Sequence, residues 1–424
     1  MKNPITTIRT AWQKLGPGLV TGASDDDPSG ITTYTQAGSQ FGLNTLWTAA
    51  ITFPLMAAIQ EMCGRIGVVT KKGIAQVVKE HYPKEIVYLL TLLIVPACIL
   101  NIGADLAGMG AVANLVFPQI SAQIFTFLAA GIIILALATL SYKRIASILK
   151  YITMILLVYL VVPFMVKQDW IEVAKATFIP HFEFNKGFIS ILVALLGTTI
   201  SPYLFVWEDA MEVEDLEEKE RRHKLPAQTA TVVASEIKAM RIDNLIGMFF
   251  SNFIMFFIIL TAGSILFKNG VNDIQTVEQA ALSLEPIAGK FAYILFALGI
   301  IGTGFLAVPV LAGACAYTLR DTLGLKGGMN SSVSEAKGFY GVIAISVIVG
   351  AGLNFFGINP VQALIWTAIV YGLVSPILIG LIIHICNNKK IMGSHTNGKL
   401  SNTLSILGFV LMTLACIALA WVNL

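Results

Sequence analysis

Three consecutive carboxylates, Asp25, Asp26 and Asp27, stand directly before Pro28 inside an otherwise apolar and small-residue stretch, residues 15–42. Neither flank, residues 16–24 nor 29–42, is long enough to cross about 30 Å of hydrocarbon alone, but the two together are. Pro28 removes a backbone donor and disfavours helical geometry at Asp27, so the reading is a helix that breaks at residues 25–28 and resumes behind the proline. A carboxylate at membrane depth is costly unless it is paired, neutralised or facing a wet cavity. Unwound backbone is tolerated there only where it lines a cavity or is buried in protein. The plain alternative is an acidic loop between two short apolar segments, and a second interruption later in the chain weakens it.

That second interruption falls at Thr198-Thr199-Ile200-Ser201-Pro202, after the apolar residues 187–197, and the chain resumes with Glu208, Asp209 and Glu212. The two broken stretches hold six carboxylates, and no Lys or Arg lies between Lys14 and Arg65 or between Lys186 and Lys219. With no internal cation to pair them, the missing counter-charge is most simply a transported cation or protons, and an anionic substrate would be repelled. The donors on offer are oxygens: carboxylates, the hydroxyls of Ser24, Ser29, Thr198, Thr199 and Ser201, and freed carbonyls. Such a set suits hard divalent ions, Mg²⁺, Ca²⁺ or Mn²⁺. Neither break contains His or Cys, which argues against zinc or copper. His81, His181, His223 and His395 fall in expected loops and His384 at a span end, as solvated or interfacial residues. Asp105 is a lone carboxylate about one turn from Asn101 in NIGADLAGMG. It reads either as a polar contact between helices or as a proton acceptor on the cation path, with Asp25, Glu208, Asp209 and Glu212 as further path residues.

The elements that must position these groups follow from composition. With 424 residues, 56% hydrophobic and 12% charged, the chain reads as an all-α polytopic membrane protein whose partner is the lipid bilayer, with no nucleic acid. Residues 1–14 are polar and the next segment is cut by Asp25, so they read as a cytoplasmic tail rather than a secretory signal. Cys63, Cys98, Cys315, Cys386 and Cys416 are scattered without C-x-x-C spacing and read as free buried thiols.

Beyond the broken first span, spans are expected at residues 45–64, 86–116, 122–140, 146–166, 187–212 (broken), 244–267, 291–317, 338–356, 360–385 and 402–422. With an inside N-terminus, 23 of the 28 Lys and Arg fall on the inner side and only Lys167, Lys175, Lys186, Lys268 and Lys290 outside, which places the C-terminus outside. The charged residues 212–241 then read as a solvated cytoplasmic loop. Five spans per half, each half opened by a proline-broken acidic helix, describe an inverted repeat of residues 15–166 and 187–386. Ligand would bind at the midplane between the broken helices, and residues 402–422 would be an added helix.

These residues resemble a family. GPGLVTGASDDDPSG is similar to the G-P-G…D-P-G-N segment of Nramp (natural resistance-associated macrophage protein) divalent-metal transporters, NIGADLAGMG to their third helix, and GTTISP falls where they carry A/C-x-x-M-P. The resemblance spans residues 15 to about 420. It implies a LeuT-type fold, a plain transporter rather than an enzyme, in a bacterial-type cytoplasmic membrane, with the divalent ion as substrate and no cofactor. It also implies a metal site between helices one and six with Asp27 as ligand, near Ser24, Asp26, Gly30, Thr199 and Ile200. The departures are specific. The family's asparagine after D-P-G is Gly30, its methionine falls at Ile200 or Ser201, its third-helix glutamate is Gly108, and no histidine follows Pro202. Loss of the soft sulfur and an amide oxygen leaves an ion with more of its water, which favours Mg²⁺ or Mn²⁺ over Fe²⁺. The sequence looks most like the Nramp-related branch that includes magnesium transporters. Loss of the histidine and glutamate puts proton coupling in question. Restoring asparagine and methionine is expected to shift preference toward Mn²⁺, Fe²⁺ or Cd²⁺. The competing expectation is an amino-acid or amine transporter on the same fold.

Overall fold

The computed structural model describes residues 17–141, 144–145, 147, 154–221 and 230–424. The expected tail at residues 1–14, the start of the span at residues 146–166, and His223 lie outside them. The first span is two helices, α1 (Pro17–Asp25) and α2 (Pro28–Phe41), parted at Asp26 and Asp27. Pro28 opens α2, where its missing N–H costs nothing because the first turn has no intrahelical acceptor for it. Gly42, at φ 60°, ends it.

There follow α3 (Trp47–Thr70), the short α4 (Ile74–His81), α5 (Lys84–Val116), α6 (Ala122–Thr139), α7 (Val158–Met165) and α8 (Trp170–Phe178). The second half opens with another broken pair, α9 (Lys186–Thr199) and α10 (Pro202–Arg221). Then come α11 (Ala230–Ala262), two short turns α12 (Val277–Ala281) and α13 (Glu285–Ala288), and α14 (Ala292–Leu323). The chain ends with α15 (Lys337–Leu353), α16 (Pro360–Asn387), α17 (Lys389–Met392) and α18 (Lys399–Asn423). Each expected span other than that at residues 146–166, of which only the part from Met154 on is continuously described, has its helix, and both expected breaks are present.

Two expected loops are corrected. Much of residues 212–241 is helical, as the C-terminal end of α10 and the N-terminal end of α11, and His81 closes α4 rather than lying in a loop. Apolar runs mark only the part of a helix inside hydrocarbon. Outside it, charged pairs sustain the helix, as where Lys219 meets Asp215 at 2.8 Å, one turn back on α10, and Glu236 of α11 at 2.6 Å.

The most apolar window of the α9–α10 pair is 94% buried, against 28% for α6 and for α18. The sixth span is therefore the axis of the bundle, while α6 and α18 turn Ile124, Leu135 and Trp421 outward as lipid would require. Helices approach closely where side chains are smallest. A methyl group on Gly22 of α1 would overlap the backbone of Gly247 in α11, and one on Gly18 the backbone of Asn244. Gly18 and Gly22 thus form the four-residue small-residue spacing on which membrane helices cross.

Candidate metal site

Asp27 has extended backbone geometry, φ −70° and ψ 171°, and caps α2. Its Oδ1 accepts the Gly30 N–H at 2.6 Å and its Oδ2 accepts Nδ2 of Asn101, on α5, at 2.8 Å. The carboxylate therefore rests on the positive end of α2, where the helix dipole favours negative charge. Asp25 accepts from the hydroxyl of Ser251 on α11. Asp25, Asp26 and Asp27 are all at most 2% exposed, so none reaches bulk solvent. Adjacent in sequence, they serve different walls: Asp27 faces α5 and Asp25 faces α11. Asp26 retains one oxygen, Oδ1, with no hydrogen bond to the protein. Asp105 lies one turn beyond Asn101 on the same face of α5, fully buried. Its oxygens accept no well-formed hydrogen bond, although the Ser29 N–H lies beside them.

At the second break, Ile200 and Ser201 separate α9 from α10. Ser201 Oγ donates to Thr198 O at 2.6 Å and Gly197 O at 3.0 Å, satisfying carbonyls that the end of α9 leaves open. The two breaks meet. Tyr203 OH donates to Ser24 O at 2.9 Å, and a methyl group on Gly30 would stand 3.3 Å from Thr198 Oγ1.

All six expected metal-site positions lie at this junction, but two, Ile200 and Gly30, offer no side-chain ligand atom. Ile200 is buried in the main apolar core and its carbonyl accepts from Ser375 of α16 at 2.7 Å. Gly30 has no side chain, and its N–H is committed to Asp27. Ser24 Oγ donates to Val20 O at 2.8 Å, and Thr199 Oγ1 to Leu195 O at 2.7 Å, so both keep acceptor lone pairs. Thr199 Oγ1 also lies 3.5 Å from Met255 Sδ on α11.

The expected path residues divide. Glu208 Oε2 accepts Thr21 Oγ1 of α1 at 2.6 Å, with Glu212 one turn further on. Asp209 instead accepts the Ile74 N–H, which makes it a cap for the first turn of α4. Sequence reasoning missed Ser251, Ser375, Tyr203 and Met255. Ser251 and Ser375 carry the signal that could have found them, an isolated hydroxyl in a long apolar run.

Among the described residues, the ion pairs formed by Lys and Arg leave out Asp25, Asp26, Asp27, Asp105 and Glu208. Nor, among them, do three His, Cys, Asp or Glu side chains converge as a ready-made metal cage. A cation here would meet Asp27, its immediate neighbours and water.

The sequence profile of the natural resistance-associated macrophage protein-like (Nramp) family matches residues 18–422. The chain belongs to the Nramp family. A Bacillus subtilis relative named divalent metal cation transporter MntH is 25% identical, over 94% of this chain and 89% of its own. A Caldanaerobacter subterraneus relative of the same name is 24% identical, over 93% and 89%. The crystal structure of an Eremococcus coleocola manganese transporter matches with a TM-score of 0.74 at 15% identity, covering 95% of this chain and 85% of that one. MhsT, solved with L-phenylalanine, matches at 0.58 and 12%, covering 96% and 97%. The fold is thus the LeuT type, with five-plus-five inverted repeats, broken helices one and six, and an eleventh helix.

Against the Nramp pattern, Tyr203 follows the sixth-span proline and bridges the breaks with its hydroxyl. Gly108 lies against Pro28 and Leu364, where a methyl group would come within 3.1 Å of the Leu364 side chain.

Proposed function

We infer that this Nramp chain carries divalent metal cations through the membrane by alternating access, with Asp27 as the principal ligand. The observation that carries this reading is the buried Asp27–Asn101 pair at the meeting point of two broken helices, with no Lys or Arg bonded to it among the described residues. A buried carboxylate so placed favours a positive ion as its partner. The named activities of the relatives, divalent metal and manganese transport, support the same class.

The donor chemistry favours Mg²⁺ or Mn²⁺, with Fe²⁺ third. The oxygens are hard, few are free, and an ion held by so few direct contacts retains part of its water shell. An amino-acid substrate is disfavoured by the same geometry. Carriers of that kind hold a carboxylate on the N-terminus of a half-helix, and here Asp27 occupies that position on α2 itself. Asp105 is the acceptor available if protons accompany the ion.

In this conformation the inner half-helix α1 is latched. The Gly18 N–H donates to Asp243 at 2.8 Å, Thr21 to Glu208 at 2.6 Å, and Tyr203 to Ser24 at 2.9 Å. Release of these bonds would open the site toward the cytoplasm. The lysine and arginine distribution supports an inside N-terminus and an outside C-terminus in a bacterial-type cytoplasmic membrane.

Proteoliposomes containing the full chain should accumulate Mn²⁺ or Mg²⁺, and Asp27→Ala should abolish uptake. Wild-type uptake in that variant overturns the assignment. So does calorimetric heat with amino acids but none with either metal.

A further inference from the structure

On the inner side of the breaks, where α1, α3, α10 and α11 pack together, three buried side chains present polar atoms that no group among the described residues satisfies. Gln60 of α3 and Asn244 of α11 are each 1% exposed, and all four of their amide atoms lack a hydrogen bond. Glu208 of α10 is fully buried, with Oε2 bonded to Thr21 and Oε1 unpaired. A buried amide left without partners is rare in folded proteins, because each unpaired polar atom forfeits its solvation.

All three residues lie within one helical turn of a common crossing. A methyl group on Gly64 of α3 would lie 3.4 Å from Glu208 Oε1 and 2.9 Å from Met240 Sδ of α11, so Gly64 marks the point where the three helices meet. Gln60 sits one turn before Gly64, rotated by about 40°. Asn244 sits one turn after Met240, by the same rotation. Its backbone also lies against Gly18 of α1. Glu208 follows Pro202 by six residues, which sets it about 9 Å along α10 from the second break. Glu212 lies one turn further, and Asp243 is next to Asn244.

We propose that Gln60, Asn244 and Glu208 form a second, inner binding site for a partly hydrated divalent cation, a station between Asp27 and the cytoplasm. The proposal rests on the transport reading given above. One carboxylate and two amide oxygens form too few direct contacts for a dehydrated ion, but they fit one that keeps several waters. The amide N–H groups would donate to those waters. The Thr21–Glu208 hydrogen bond ties the station to the latch on α1, so release of α1 would free Glu208 Oε2 for the departing ion.

The test is Mn²⁺ binding to the purified full chain, counted by calorimetry and by Mn²⁺ electron paramagnetic resonance. Wild type should bind two ions, Asp27→Ala one, and Asp27→Ala combined with Glu208→Gln none. Gln60→Leu or Asn244→Leu in the Asp27→Ala background should weaken the remaining ion at least tenfold, which keeps the test valid if the glutamate variant does not fold. A single wild-type ion that Asp27→Ala removes would overturn the inner site while leaving the reading of Asp27 standing. A second ion that survives Glu208→Gln would overturn it as well.

Discussion

Asn101 Nδ2 donates to Asp27 Oδ2 at 2.8 Å, joining α5 to the first break across 74 residues of chain. Asp27 is thereby held from two sides, by its own helix through Gly30 and by the third span through Asn101. A partner that orients a ligating carboxylate typically contributes tenfold to a hundredfold in metal affinity. Asn101→Ala should therefore raise the KM for Mn²⁺ uptake by about tenfold or more. The check is a concentration series in proteoliposomes, and an unchanged KM would show that Asn101 only packs.

Metal binding to the folded chain alone should stabilise it by mass action. At Mn²⁺ one hundred times above Kd the gain is about 2.7 kcal/mol, seen as a higher Tm in a thermal-shift assay. Asp27→Ala should lose the part of that rise contributed by the ion at Asp27, and chelation should reverse it in the wild type.

Gly30 and Ile200 are predicted to respond differently, although the sequence alone suggests restoring both. A methyl group on Gly30 would stand 3.1 Å from Asp25 O, 3.3 Å from Thr198 Oγ1 and 3.4 Å from Asp27 Oδ1. Gly30→Ala should cost about 1–3 kcal/mol through overpacking and reduce uptake of every ion. Ile200→Met conserves volume and costs less than about 1.5 kcal/mol. It places a thioether at the second break and should move competition profiles toward Cd²⁺ and away from Mg²⁺.

Met255 offers a thioether already present beside the second break, 3.5 Å from Thr199 Oγ1. Met255→Leu, close to it in volume, should lower the preference for Cd²⁺ and Mn²⁺ over Mg²⁺ with little change in expression or Tm. Unchanged competition would place the sulfur outside the ion's reach.

Much of the architecture could be read from residue order. Span count, both breaks and the burial of acidic groups follow from apolar run length, proline chemistry and the expense of charge in lipid, all of which act over a few neighbouring residues. Asp27 is legible for the same reason, since an aspartate before a helix-opening proline is both a cap and an anion held at a positive helix end. The GxxxG spacing of Gly18 and Gly22 is likewise a local feature of the sequence, and it marks the α1–α11 crossing.

The division of labour among the carboxylates was settled by tertiary packing. Asp25 turns to Ser251, 226 residues away, Asp209 to the start of α4, and Glu208 to Thr21, 187 residues away, while the Ile200 carbonyl is taken by Ser375. No local pattern encodes such pairings, because each depends on which faces of two distant helices come together. Chain order thus determined where negative charge and undone helix would lie. Only the packed bundle decided which of those charges cap, which brace a neighbour, and which keep an oxygen without a protein partner among the described residues.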